Sequence, residues 1–423
     1  MDITETFGKY IEKWSGGSPE RARRLLTFGW SAQNLKFRYQ PDKRLYPADQ
    51  YLAQLMMNTM LAPLKDPDNS VMVSVFTPCE LLHEAGLHPY NVEAFSCYIS
   101  ASRAERLFLQ NAEDSGISET LCSYHKTFIG AAKTGLLPKP RCIVYTNLAC
   151  DANLLTFRYL AEFYQVPSFV IDVPTKQNRE NVLYVADQLR HMKTFVEKHT
   201  GKRIPEDALR ERVARSRRTL DLLDRYQSER ADKYVPSDLV TPLYGGMTSL
   251  VLLGTKEEER YVQMLLKDLE SAPPARGTRI YWMHTIPFWS QAVRDALSLK
   301  ENVQIVGCEF AQTFDITQHA EDPYEDMAMR LVYHALSGDN SRRIEMGLKH
   351  ARQADADGVV WFNHWGCKHT LGGSRLAKKR FEENGLPLLI LDGDGCDRSH
   401  GGEGQTATRL DAFLEMLEEK ADE

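Results

Sequence analysis

None of the eight cysteines in the chain forms a Cys-x-x-Cys pair, which removes the spacing used by zinc ribbons, thioredoxin-like sites and bacterial ferredoxins. A Gly-x-x-x-x-Gly-Lys-Ser/Thr loop is missing as well, so nothing here is built to cradle the phosphates of ATP. No apolar run approaches the roughly 20 residues that span a bilayer. The opening residues, Met1 to Phe7, lack the basic and then apolar build of a secretory leader. Basic excess is also lacking: the formal charge is −6, whereas a general nucleic-acid binder needs a surface that neutralises phosphates. These absences lead to the expectation of a cytoplasmic protein with no membrane and no nucleic-acid partner. In that compartment cysteines stay reduced and serve as thiols or metal ligands.

What is present is an ordinary globular composition, 43% hydrophobic and 26% charged over 423 residues, enough chain for two or three cored domains. One device occurs twice. The run Val359-Val360-Trp361-Phe362-Asn363-His364 stops abruptly at Gly366-Cys367, and Ile143-Val144-Tyr145-Thr146-Asn147 stops at Ala149-Cys150. Each is followed by a helical stretch and a second strand ending in aspartate, Val166 to Asp172 and Leu386 to Asp392. A β-branched and aromatic run cut off by a polar turn marks the carboxyl end of a buried parallel strand, and that end is where open α/β sheets bind ligands. The fold class expected is therefore α/β: two similar Rossmann-like domains with parallel sheets flanked by helices, facing one another across a cleft.

The boundaries follow from pattern. Residues 1–65 read as an amphipathic N-terminal helical extension, and residues 66–176 as the first α/β domain. Residues 177–240 are a charged helical connector broken at Gly201 to Pro205, whose charges form a solvated face. Residues 241–423 make the second α/β domain, opened by a break at Thr241 to Gly246. Strands are expected at 71–76, 279–283, 303–306, 358–362 and 387–391, besides the two that precede cysteine and aspartate in the first domain.

A lone buried cysteine usually behaves as a small hydrophobe. Cys142, at the wrong end of its strand, and Cys97, between Phe95 and Tyr98, fit that description. The remaining six share a placement. Cys79, Cys150, Cys308, Cys367 and Cys396 each follow a strand, and Cys122 opens a helix, whose N-terminus stabilises a thiolate. Six thiolates converging in one cleft need positive charge, and an iron–sulfur cluster at the domain interface supplies it.

At these residues the chain resembles the 2-hydroxyacyl-CoA dehydratase and benzoyl-CoA reductase family. The matching pieces are Pro78-Cys79-Glu80-Leu81-Leu82 with Ala85-Gly86, Cys122-Ser123-Tyr124, Cys150-Asp151, Gly366-Cys367, and Glu403-Gly404-Gln405 with Thr408-Arg409 and Ala412-Phe413. The resemblance implies a 4Fe–4S cluster held by Cys122, Cys150 and Cys367. The further thiols at Cys79, Cys308 and Cys396 depart from the dehydratase pattern and resemble the double-cubane branch, which implies an 8Fe–9S cluster on six cysteines, a homodimer, and an ATP-hydrolysing activator reductase as electron donor for reduction of a small-molecule substrate. A single-cubane dehydratase subunit and a non-catalytic electron or cluster carrier are the alternatives. Proton donors must lie beside the cluster; His125, Glu309, His364 and His369 flank ligand cysteines and are the candidates. Lys126 and Lys368 are expected to balance cluster charge.

Overall fold

The computed structural model describes residues 2–311 and 319–422. The N-terminal extension consists of α1 (Ile3–Ser15), α2 (Pro19–Tyr39) and α3 (Pro47–Lys65). Asp2 caps α1 by accepting the Thr4 N–H at 2.9 Å, and proline begins both α2 and α3, a position whose missing N–H costs nothing. Ala22, Leu26 and Trp30 give α2 the buried stripe that docks it.

The first sheet contains β1 (Ser70–Val73), β2 (His88–Asn91), β3 (Cys142–Thr146) and β4 (Ser168–Ile171), all parallel in the order β2-β1-β3-β4. Between the strands run α4 (Glu80–Glu84), α5 (Val92–Ala101), α6 (Glu105–Asp114), α7 (Ser123–Lys133) and α8 (Ala152–Tyr164). Strand β2 has no counterpart among the expected strands, because Pro89 interrupts a four-residue run. It lies at the sheet edge, where a missing ladder donor is tolerated. Strand β1 closes at Val73, three residues before the end expected at Phe76.

The connector is α9 (Arg179–Thr200) and α10 (Glu206–Arg230), split where Gly201 takes a left-handed φ of 70°. Its faces are not merely solvated: Arg212 pairs with Glu84 at 2.8 Å and Arg217 with Asp326 at 2.7 Å, tying it to both halves of the molecule. The Thr241 to Gly246 stretch, expected as a break, lies inside α11 (Val240–Val251). Glycine is needed there for approach rather than turning, since a Cβ on Gly246 would sit 2.8 Å from the Phe310 carbonyl carbon.

After α12 (Lys256–Ser271), the second sheet is β5 (Thr278–Met283), β6 (Val303–Cys308), β7 (Gly358–His364) and β8 (Leu388–Gly393), parallel in the order β6-β5-β7-β8. This is the first sheet's order repeated strand for strand. Helices α13 (Gln291–Leu297), α14 (Pro323–Val332), α15 (Asn340–Gln353), α16 (Lys368–Leu371), α17 (Ser374–Glu383) and α18 (Glu403–Asp422) flank it. The repeat extends to side chains. Asn147 donates to Asp172 at 2.6 Å and Asn363 to Asp392 at 2.9 Å, each joining the last two strands of its sheet. The residue before each cysteine is left-handed in both copies, Ala149 at φ 63° and Gly366 at φ 80°. Among the described residues no helix is long and apolar enough to cross a membrane.

Candidate functional site

The carboxyl ends of the two sheets meet around α7. Cys122 caps this helix and lies against the turn after β7, where Gly366 approaches so closely that a Cβ on it would stand 2.6 Å from the Cys122 nitrogen. The adjoining Cys367 is thereby fixed beside Cys122. Cys150 follows β3 and opens toward the same helix, its Sγ 3.5 Å from His125 Nε2. The thiols of Cys122, Cys150 and Cys367 feel one another electrostatically. Burial pushes Cys150 up to about 12 and raises Cys122 well above its ordinary value. In the metal-free chain these two sulfurs therefore carry protons, which a metal would have to displace.

Two histidines serve the sulfurs. His364, the last residue of β7, accepts the Gly395 N–H on Nδ1 at 3.1 Å. Its neutral ring must then carry the proton on Nε2, which points at Cys122 Sγ, 3.1 Å away. Burial lowers its pKa, with Asp394 partly opposing. His125 spans Cys150 and the Thr156 hydroxyl, 2.9 Å from Nδ1, and burial brings it down to about 4. His364 is thus a neutral donor to sulfur, and His125 is a neutral ring beside Cys150. Tyr124, just before His125 in sequence, packs its ring 5.0 Å from that of His364 and hydrogen bonds to Thr285 at 2.8 Å.

The other sequence candidates take different places. Cys396 is buried behind α7, 3.4 Å from Thr127 Oγ1 and 3.7 Å from the Ser96 carbonyl. Asp394 Oδ1 accepts from Ser123 Oγ at 2.6 Å and from the Cys396 and Asp397 N–H groups, so this loop is stitched to the amino end of α7. Cys79 caps α4 with its thiol on the Thr77 carbonyl at 3.2 Å. Cys308 ends β6 with its thiol 3.8 Å from the His284 carbonyl, and the His284 ring lies 6.1 Å from that of His364. All three stand on the cleft side of their sheets, but no contact joins them to the trio among the described residues. Cys142 and Cys97 are fully buried.

Glu309 is a brace: Arg343 grips it through two hydrogen bonds of 2.6 Å, and the His284 N–H adds a third at 2.9 Å. Arg343 also stacks 4.4 Å over Trp361 and donates to His369 Nδ1 at 3.2 Å, which leaves the His369 proton on Nε2. Lys126 turns away from the trio to Glu113 at 2.6 Å, whereas Lys368 lines a 670 Å³ cavity with Trp365, Gly366 and His400.

One acid went unnoticed in the sequence. Glu93 sits in the first turn of α5, coupled electrostatically to Cys150, with its Oε2 wholly removed from solvent and without a partner. Burial raises it to about 7. Asn153 Oδ1, three residues after Cys150, is likewise buried and unpartnered. The available signal was a single charge inside the otherwise uncharged run Val92 to Ala101.

Among the described residues, no group of three or more His, Cys, Asp or Glu side chains is gathered as one metal ion requires. Three neighbouring thiols that do not share a single focus instead suit a multi-iron cluster, in which each sulfur takes its own iron. With soft donors and neutral imidazoles beside the sulfurs, the trio fits such a group.

Residues 74–417 match the family model of the 2-hydroxyglutaryl-CoA dehydratase D-component. The chain belongs to this family. It is 26% identical over 306 residues to the alpha subunit of (R)-2-hydroxyglutaryl-CoA dehydratase from Acidaminococcus fermentans, covering 67% of this chain and 61% of that one, less than two thirds of its length. It is 23% identical to the (R)-phenyllactyl-CoA dehydratase alpha subunit of Clostridium sporogenes, over 80% of this chain and 87% of that relative. A subunit of the benzoyl-CoA reductase of Thauera aromatica is 21% identical, over 74% and 80% of the two chains. The family relatives are thus subunits of both dehydratases and a reductase.

Proposed function

We propose that this protein is an iron–sulfur reductase that binds a cluster through Cys122, Cys150 and Cys367, extended by Cys79, Cys308 and Cys396 to a double cubane of 8Fe–9S type. The observation that carries the reading is the convergence of three thiols from α7, β3 and β7 where the two sheets meet. When bound, the cluster supplies single electrons at low potential. The chain's own residues do the rest. His364 donates a hydrogen bond toward the Cys122 sulfur, with His125 a neutral ring beside Cys150, and such bonds to sulfur raise a cluster's potential. Glu93, with a buried unpartnered Oε2 and a pKa raised by burial to about 7, is the group best suited to hand a proton to a small substrate held near Cys150. In this reading a separate ATP-hydrolysing activator supplies the electrons, this chain having no Gly-x-x-x-x-Gly-Lys-Ser/Thr loop, and the working assembly is a homodimer in the cytoplasm.

A second reading is favoured by one observation: the trio is coupled internally, while Cys79, Cys308 and Cys396 are not joined to it. A single 4Fe–4S cluster would then serve a dehydratase subunit acting on a 2-hydroxyacyl-CoA, as the names of the relatives suggest. Iron and sulfide analysis of anaerobically purified protein separates the two, at about eight irons per chain for the double cubane and about four for the single cubane. Under the first reading, Cys308→Ser or Cys396→Ser lowers iron by half or more. Unchanged iron in both variants removes these residues from the ligand set, and iron-free protein sinks both readings.

A further inference from the structure

The two sheets repeat each other strand for strand, but the outer edges of their last strands are finished differently. Val166 to Asp172 and Leu386 to Asp392 align residue for residue. The Pro167 carbonyl accepts from Ile143 at 3.1 Å, and the Pro387 carbonyl accepts from Val359 at 2.9 Å. Backbone groups alternate in direction along a strand, so Phe169 and Ile171 face β3 while Ser168 and Val170 turn their N–H and C=O outward. In the second sheet Leu388 and Ile390 hold those two places.

Strand β8 is blunted. Lys378 donates to the Leu388 carbonyl at 2.9 Å, and Arg409, from α18, donates to that of Ile390. Cationic side chains on an edge keep other strands off it. Strand β4 has no such guard at Ser168 or Val170. Gln188 of α9 takes both backbone groups of Asp172, its Oε1 accepting the N–H and its Nε2 donating to the carbonyl, each at 2.8 Å. That amide closes the edge at Asp172 as a neighbouring strand would. Among the described residues no side chain bonds the outward groups of Ser168 or Val170. Both residues are exposed, Val170 at 40%, whereas Leu388 is buried.

We propose that β4 pairs with β4 of a second copy of this chain, antiparallel about a two-fold axis at Phe169, joining two four-stranded sheets into one. The open stretch matches itself. With Phe169 opposite its own copy, Val170 faces Ser168 of the partner subunit, and the two exchange both N–H···O bonds. The axis repeats that exchange with the strands reversed, so every outward group of the stretch is used. A longer guest strand would instead run into the Gln188 amide that already occupies Asp172. Charge does not oppose the pairing, because Val166 to Ile171 contains no charged residue, and like charges opposite one another are what destabilise such a pair. The helices that touch β4 add exposed apolar side chains, Leu155 and Phe163 on α8 and Leu183 and Tyr184 on α9. This contact rests on the proposed homodimer and gives it a surface; it does not depend on any cluster.

The test uses the full metal-free chain. Analytical ultracentrifugation gives the dimer constant, and hydrogen exchange read by mass spectrometry follows the Ser168 and Val170 amides. Val170→Pro removes one outward N–H from each strand and leaves the β3 ladder whole, since that N–H faces away from β3. Two lost bonds at roughly tenfold each weaken the dimer about a hundredfold. Val170→Lys keeps the N–H but puts like charges on one face of the seam, and should weaken the dimer too. In the wild type both amides exchange slowly where the dimer holds and faster on dilution to monomer. A monomeric wild type overturns the proposal, and so does a dimer that survives both Val170 variants or dissociates only in Phe28→Glu, on the exposed face of α2. Amides that exchange equally fast above and below the dimer constant overturn it without any variant. None of these readouts needs iron, so failure of this contact and failure of the cluster reading are told apart.

Discussion

Gly366 offers a sharp test of how the cleft is held, because the molecule contains its own controls. Its φ of 80° belongs to the left-handed region, where a side chain costs roughly 1–2 kcal/mol. That cost alone does not demand glycine, for the matching position of the first domain is Ala149 at φ 63°. What differs is space: a Cβ on Gly366 would meet the Cys122 nitrogen at 2.6 Å and its Cα at 2.7 Å. Backbone must retreat by most of an ångström to restore ordinary contact, and such overpacking adds about 1–3 kcal/mol. Gly385 has nearly the same φ, 79°, but nothing within 4 Å of its virtual Cβ. Calorimetry of the metal-free variants should therefore give a loss of about 1–2 kcal/mol for Gly385→Ala. For Gly366→Ala the expected loss is about 2–5 kcal/mol, partly offset in both by a stiffer unfolded chain. Reconstitution with iron and sulfide should succeed in Gly385→Ala and fail by half or more in Gly366→Ala. Equal destabilisation of the two variants with equal iron uptake would refute the claim that the Gly366 to Cys122 approach sets the spacing of the thiols.

Other expectations follow from the same geometry. Glu93 is raised from 4.5 to about 7, so the unfolded chain loses its proton first as pH rises. Stability falls between pH 4.5 and 7 by up to about 3 kcal/mol and then levels off. Urea melts should show Glu93→Gln removing that decline, and an identical pH dependence in the variant would mean that the carboxyl is not buried protonated. Arg343→Met leaves Glu309 buried with one N–H for company and should cost about 3–5 kcal/mol; adding Glu309→Gln should recover much of it, and a purely additive double mutant would deny the pair its coupling. Cys142→Ala, in the amino end of β3, should lower thermal stability without altering iron per chain, whereas a large iron loss would place that sulfur in the cleft after all. His364→Phe removes the Nε2–H donor to Cys122, so the potential of a loaded cluster should drop; an unchanged potential would exclude the hydrogen bond.

Much of this molecule could be read before any coordinate. Two apolar runs that stop at cysteine and resume in a strand ending with aspartate imposed a duplicated parallel α/β design, because β-branched residues bounded by polar turns have few other places to go. The helical extension and the connector split at Gly201 followed from periodicity and one glycine. Strand β2 was lost to Pro89, which breaks the local pattern although a sheet edge accepts it. Helix α11 was hidden by its glycines, which serve an approach to Phe310 that no local rule foresees.

The linear order of residues named six cysteines by their position after strands, and that reasoning is local: it says which end of a sheet a thiol occupies, not what faces it. Only the meeting of the two sheets' carboxyl ends around α7 brings Cys122, Cys150 and Cys367 near one another while leaving Cys79, Cys308 and Cys396 on separate contacts. Tertiary structure alone turned Glu309 from a candidate acid into the partner of Arg343. It also left Glu93 Oε2 buried without a hydrogen-bond partner, its carboxyl coupled to Cys150. A side chain's proton affinity depends on what surrounds it in space, and a charge read along the chain carries no record of its neighbours across a cleft.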